Sequence, residues 1–322
     1  LPWDHSIAVF LAKNGIDVWG MDYAWSFVPT QTTNFDFMNG WGLEREIEYA
    51  EKALSTVRSI RVSTGQGKPR LHVLGFSYGV PIAYSMAGNE TMKPPGKRLI
   101  KSIISVDYDL KVNDEEERLA ACESVTTGQS YIDSGIYEND TGAFMMYVAY
   151  LAKENPDGIS NFFPLLSNWE FALFLGVLHD PWHFVGGEFS TFPIPTGLRF
   201  SDPDAWVDLL SYVPAYMPRQ AFVDFNTAIC DEVDVAFDDH LGDIAVPILS
   251  VGAAGGAAPQ SYTPMLTASK DVKQITIQLL SDSEQYLDFG HGDLFLGRDA
   301  ETLVWEEILD WVSAHRPSRT YP

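Results

Sequence analysis

The segment LHVLGFSYGVPIAY (residues 71–84) sets Ser77 between Gly75 and Gly79, where an apolar run gives way to a helical pattern. A serine hydroxyl is a weak nucleophile until a base takes its proton, so Ser77 does chemistry only beside such a base. His291 is the candidate base, held between Gly290 and Gly292 in YLDFGHGDLFLGRDAETLVWEEILDW (residues 286–311). A serine, a histidine and a carboxylate that orients the histidine make an acyl-transfer centre: the serine attacks a carbonyl and the imidazole carries the proton.

In Gly75-Phe76-Ser77-Tyr78-Gly79 a strand must become a helix within very few residues, which forces the serine into a strained conformation and exposes its hydroxyl. That exposure falls at the C-terminal edge of a sheet, where α/β folds place ligands. The helix that follows presents backbone N–H groups, and the Tyr78 N–H can stabilise an oxyanion. The five-residue pattern is common by chance, and its bland alternative is a structural turn. The chemical reading is favoured because strand, elbow and helix all occur where the chemistry needs them.

The elements that must position these residues alternate. Residues 6–14 read as a helix closed by Gly15, 16–23 (IDVWGMDY) as a buried strand, and 41–62 as an amphipathic helix with a charged face. RLHVLGF is a second strand. A short helix follows Ser77, with Pro81 in its first turn, where a missing N–H costs little, and Gly88 as its end. Residues 99–108, 246–254 and 272–280 supply three more strands, and AETLVWEEILDWVSAH closes the chain as a helix. Strands separated by helices predict a mostly parallel α/β sheet. Residues 110–240 break that rhythm, being rich in aromatics and prolines, and read as an inserted, mainly helical lid on a core of residues 1–109 and 241–322.

Composition narrows the partners. With 322 residues, 46% of them hydrophobic, the chain can bury a large core. Its 44 acidic against 21 basic residues give a net charge of −23, which argues against nucleic acid or an anionic membrane surface. No apolar run is long enough to cross a membrane. Cys122 and Cys230 flank the lid, and a bridge between them would tie its start to its end; the alternative is two buried thiols. His179 and His183, in LHDPWHF, have an i, i+4 spacing, but Pro181 interrupts it and no HExxH pattern is present, so they read as lid residues and no metal is expected. His72, His240, His5 and His315 read as structural. Acidity and the sequons at Asn89 and Asn139 favour a secreted or extracytoplasmic protein over a cytoplasmic one. The chain opens without Met and without a basic, cleavable leader, as though partway through a domain.

The elbow GFSYG, the late FGHGDLFLGRDAETLVWEEILDW and the strand-helix order resemble the α/β-hydrolase family, in particular its lipase and esterase branches. The resemblance covers residues 1–110 and 241–315. It implies the order Ser, acid, His, so that His291 is the base, and it implies strands and an HG-type loop ahead of Leu1 that would donate the second oxyanion N–H. It also implies an acid after the strand that follows the lid, where this chain reads VGAAGGAAPQ with Gly255 at about the expected place. Some lipases take the acid from the end of the strand after the nucleophile helix, which is Asp107 here; Asp109, Asp282 and Asp288 stand behind it. A serine at the elbow argues against the members that use an aspartate nucleophile. The expected activity is cleavage of carboxylic esters with a hydrophobic acyl or alcohol part, without a cofactor. Phe76, Phe162, Trp169, Phe174 and Trp182 are the expected apolar lining, unless they serve the lid's own packing. An acyltransferase on the same residues and a non-catalytic binding protein are the rival classes.

Overall fold

A computed structural model describes residues 5–68, 70–178 and 182–316. Helix α1 (Ile7–Lys13) ends at Gly15, whose φ of 76° suits a residue without a side chain. Helix α2 (Leu43–Ser63) leads to strand β1 (Leu71–Phe76), helix α3 (Gly79–Thr91) and strand β2 (Ile100–Val106). The next stretch holds α4 (Glu115–Asp133), β3 (Glu138–Asn139), α5 (Thr141–Glu154), α6 (Asn168–Val177), β4 (Gly187–Thr191), β5 (Ile194–Leu198), α7 (Pro203–Tyr212), β6 (Met217–Pro218) and α8 (Arg219–Cys230). Strands β7 (Ile248–Ala253) and β8 (Val272–Ile277), helix α9 (Asp293–Leu296), a π turn over Glu301–Trp305 and helix α10 (Glu306–Ala314) complete the described chain.

The main sheet is parallel, in the order β1-β2-β7-β8. Strand β2 is buried on both faces: Ile104 and Val106 pack with α1 and α10 residues such as Phe10 and Ile308, while Ile100 and Ile103 pack with Leu43, Ile47, Val80 and Tyr84 of α2 and α3. Burial on both faces explains why IKSIISV does not alternate apolar with polar residues: Ile103 and Ile104 are consecutive, and Ser102 and Ser105 are buried beside them. The register aligns Phe76 with Val106 and Val106 with Val251, so three strands end side by side.

Within residues 110–240, Val148, Leu166, Phe171, Leu173, Trp206 and Leu210 pack into one cluster, which Leu296 of α9 joins, while Leu110 and Ala228 pack with residues of α2 and α3. Helices α4 and α8 lie against each other and are joined by a Cys122–Cys230 disulfide, with Cα atoms 4.9 Å apart.

Two local expectations fail. Residues 16–23 form no strand: Val18, Trp19 and Met21 are exposed, and among the described residues β1 pairs on one side only, with β2. β-branched and aromatic content makes a strand only when a neighbour completes the hydrogen-bond ladder. Gly88 does not end α3, which runs on to Thr91.

Candidate active site

Ser77 follows β1 and has φ of 53°, in the left-handed region that side chains other than glycine rarely adopt. Gly75 makes the tight return possible, because a Cβ there would stand 2.8 Å from the Val80 nitrogen in the first turn of α3. Tyr78 is the N-cap of α3, so its N–H belongs to the unpaired first turn of a helix. Asp107 occupies the same station on the next strand: it follows β2 and has φ of 51°. Ser77 N–H donates to the Val106 carbonyl at 3.1 Å and Asp107 N–H to the Val251 carbonyl at 2.8 Å, so both side chains leave the C-terminal edge of the sheet from adjacent positions.

His291 Nδ1 and Asp107 Oδ2 lie 2.8 Å apart, and both residues are buried. The carboxylate accepts three further bonds, from the N–H groups of Ala253 at 3.0 Å and of Ala257 and Ala258 at 3.1 Å. A carboxylate only accepts, so Nδ1 is the donor and Nε2 is left as the basic nitrogen. The loop after β7, which lacks an acid, therefore wraps the acid of the neighbouring strand with its amides. Its composition of glycine and alanine follows from that closeness: a Cβ on Gly256 would fall inside the Asp107 carboxylate, and one on Gly255 would overlap the ring of His183.

Among the described residues, the imidazole of His291 has four ring neighbours. Phe76 stacks on it with centroids 4.5 Å apart, Trp182 lies at 5.1 Å, Phe184 at 5.9 Å and Tyr108 at 6.3 Å. Trp182 also lines a cavity of about 760 Å³ with Leu178, Phe192, Tyr286 and the Ala254–Ala257 loop, a volume within the range of small-molecule sites. Phe162, Trp169 and Phe174 are not brought to the imidazole. Phe162 packs on Phe144 and Phe171, Phe174 on Phe163, and Trp169 against the same cluster, so these three belong to the packing of the inserted segment. Tyr108 is not among the lining expected from the sequence; it follows Asp107 directly, and only that strand-end position hints at it.

The other carboxylates have different partners. Asp109 accepts from the Ser261 hydroxyl and from Tyr262 N–H at 2.8 Å and Thr263 N–H at 2.9 Å, and burial raises its pKa. Asp288 is buried and accepts from Leu279 and Leu280 N–H. Asp282 is exposed and bonds to Gln278. None of these three is hydrogen-bonded to His291. Asp293, not singled out from the sequence, is fully buried, accepts from Gly186 and Gly290 N–H and from the Ser201 hydroxyl, and is pushed up to about 7 by burial. His183 is also buried, against the His291 loop; His179 lies outside the described residues. Among the described residues, the side chains close enough to share a metal ion are Cys122, Cys230 and Glu232, and the two cysteines are joined to each other. No described helix is long and apolar enough to cross a membrane.

Neither a protein-family model nor a curated protein matches this sequence. Solved structures do. A candidate lipase from Sulfolobus solfataricus superposes with a TM-score of 0.62 at 18% identity, covering 98% of this chain and 78% of that one. A soluble variant of monoglyceride lipase from Saccharomyces cerevisiae, in complex with a substrate analogue, aligns over 86% of this chain and 70% of that one at 14% identity and a TM-score of 0.44. The parallel sheet flanked by helices, with strand, elbow and helix in sequence and the likeness to the Sulfolobus chain, gives the protein the α/β-hydrolase fold.

Proposed function

We propose that the protein is a serine hydrolase of carboxylic esters whose acyl or alcohol part is hydrophobic. The observation that carries this reading is the 2.8 Å contact between Asp107 and His291 beside the Ser77 elbow. In the proposed reaction Ser77 Oγ bonds to the ester carbonyl carbon as its proton passes to His291 Nε2, and Asp107 holds the imidazole in its productive tautomer and stabilises the imidazolium. The Tyr78 N–H faces the negative charge that develops on the carbonyl oxygen. The alcohol leaves with the proton from Nε2, and water, deprotonated by the same nitrogen, releases the acid and restores Ser77.

Phe76, Tyr108, Trp182 and Phe184 surround the imidazole with apolar surface, which supports a hydrophobic substrate part and keeps water from competing for the charged intermediates. The disulfide supports an extracytoplasmic setting, since such bonds persist where thiols are not kept reduced.

A fluorophosphonate probe should label the protein at Ser77, and Ser77→Ala should abolish labelling while the unfolding transition is kept. A series of p-nitrophenyl esters of increasing chain length then reads the acyl preference, and product analysis with added alcohol separates hydrolysis from acyl transfer. A folded protein that is neither labelled nor active on any ester of the series would overturn the reading.

A further inference from the structure

His291 sits between two glycines, so its own backbone is soft and its placement has to be imposed from outside. The inserted segment imposes it at His183. The His183 carbonyl accepts the His291 N–H at 3.0 Å, and the His183 N–H donates to the Gly255 carbonyl at 3.0 Å. His183 Nε2 lies 2.6 Å from the Asp288 carbonyl, and Gly255 N–H donates to the Phe289 carbonyl at 2.9 Å. Gly255 belongs to the loop whose amides cage Asp107, and residues 288–291 carry the imidazole, so these bonds close a circuit between the two loops.

The ring fits its slot closely. It is 4% exposed, and a Cβ on Gly290 would stand 2.8 Å from its Cδ2. A carbonyl only accepts, so Nε2 carries the proton. Burial lowers the pKa of His183, which keeps the ring neutral.

We propose that His183 is a positioning residue for the His291–Asp107 pair, tying the loop that cages the acid to the loop that carries the base. Only its kinetic readout rests on the proposed ester hydrolysis. The test compares His183→Phe, which fills the slot without a donor, with His183→Gln, which keeps an N–H near the Nε2 position. The Phe variant should unfold cooperatively and hold KM within about twofold while kcat falls on the order of 10²-fold, the scale of an ångström of misplacement, and Gln should recover most of the loss. In protein labelled with ¹⁵N-histidine, the downfield Nδ1 proton of His291 should broaden in the Phe variant and persist in the Gln variant.

A Phe variant with kcat within about twofold of the parent, or two folded variants equally slow with the His291 resonance unchanged, would overturn the proposal. Should the Phe variant fail to fold, the unmutated protein decides: His183 must appear as a neutral, slowly exchanging Nε2–H ring, and an Nδ1–H tautomer or a charged ring refutes the tie to Asp288. If the unmutated protein cleaves no ester, the functional reading fails, and the resonance of His291 still decides the role of His183.

Discussion

Asp107 and Asp109 leave the same strand end two residues apart, both buried, and both accept backbone N–H groups from the end of β7 and the chain after it. Ala253, Ala257 and Ala258 serve the first; Tyr262 and Thr263 serve the second. The difference lies in the remaining partner, an imidazole for Asp107 and the Ser261 hydroxyl for Asp109. Burial and a full set of donors therefore do not mark an acid for proton chemistry. What marks it is a neighbour that can change its charge. By its bonds, Asp109 holds the chain at 261–263 against the sheet, and Asp107 holds a ring.

The comparison breaks most sharply at Asp107 itself. Asp107→Asn should lower kcat by a factor on the order of 10⁴ on a p-nitrophenyl ester, with a small change in the unfolding midpoint. Asp109→Ala should do the reverse. Three donors, those of Ser261 and Thr263 buried and that of Tyr262 half-buried, lose their acceptor, which costs about 4 kcal/mol in urea unfolding, while kcat stays within about threefold. Activity that collapses with Asp109 and survives at Asp107 would exchange their roles.

Glu46 supplies a third case, a carboxyl 1% exposed with neither oxygen partnered. Burial pushes its pKa up to about 7 from 4.5, so the folded state holds its proton where the unfolded chain has released it. Stability from this group is full below about pH 4.5 and declines as pH rises towards 7, by about 3 kcal/mol in all. Glu46→Gln should remove that slope from the stability profile; an unchanged slope assigns it to another group. The smallest effect sharpens the picture of the cage. Gly256→Ala pushes a methyl into the Asp107 carboxylate, and kcat should drop by about 10²-fold, or somewhat less if the loop gives way. Equal activity would mean that the cage does not fix the acid.

The alternation of strands and helices was legible from β1 onward, and so was the tight turn at Ser77, because each is written in residues a few positions apart. Contacts across more than a hundred residues were not. The stretch VGAAGGAAPQ read as a loop missing its acid, when its small residues are the imprint of Asp107, 146 to 151 positions earlier. Phe162 and Trp182 are alike in sequence, yet one packs within the inserted segment and the other meets His291; nothing local separates them. Residues 16–23 have the composition of a strand but find no neighbour to pair with among the described residues, which composition cannot express.

The disulfide between α4 and α8 turns residues 122–230 into a covalent ring hanging from the sheet. A single protease cut anywhere on that ring would not release a fragment: the two pieces would travel together until a reductant is added. The ends that carry Ser77 and His291 would thus remain one molecule after a cut between the two cysteines, and the bond acts as insurance for the continuity of the molecule as well as a restraint on its shape.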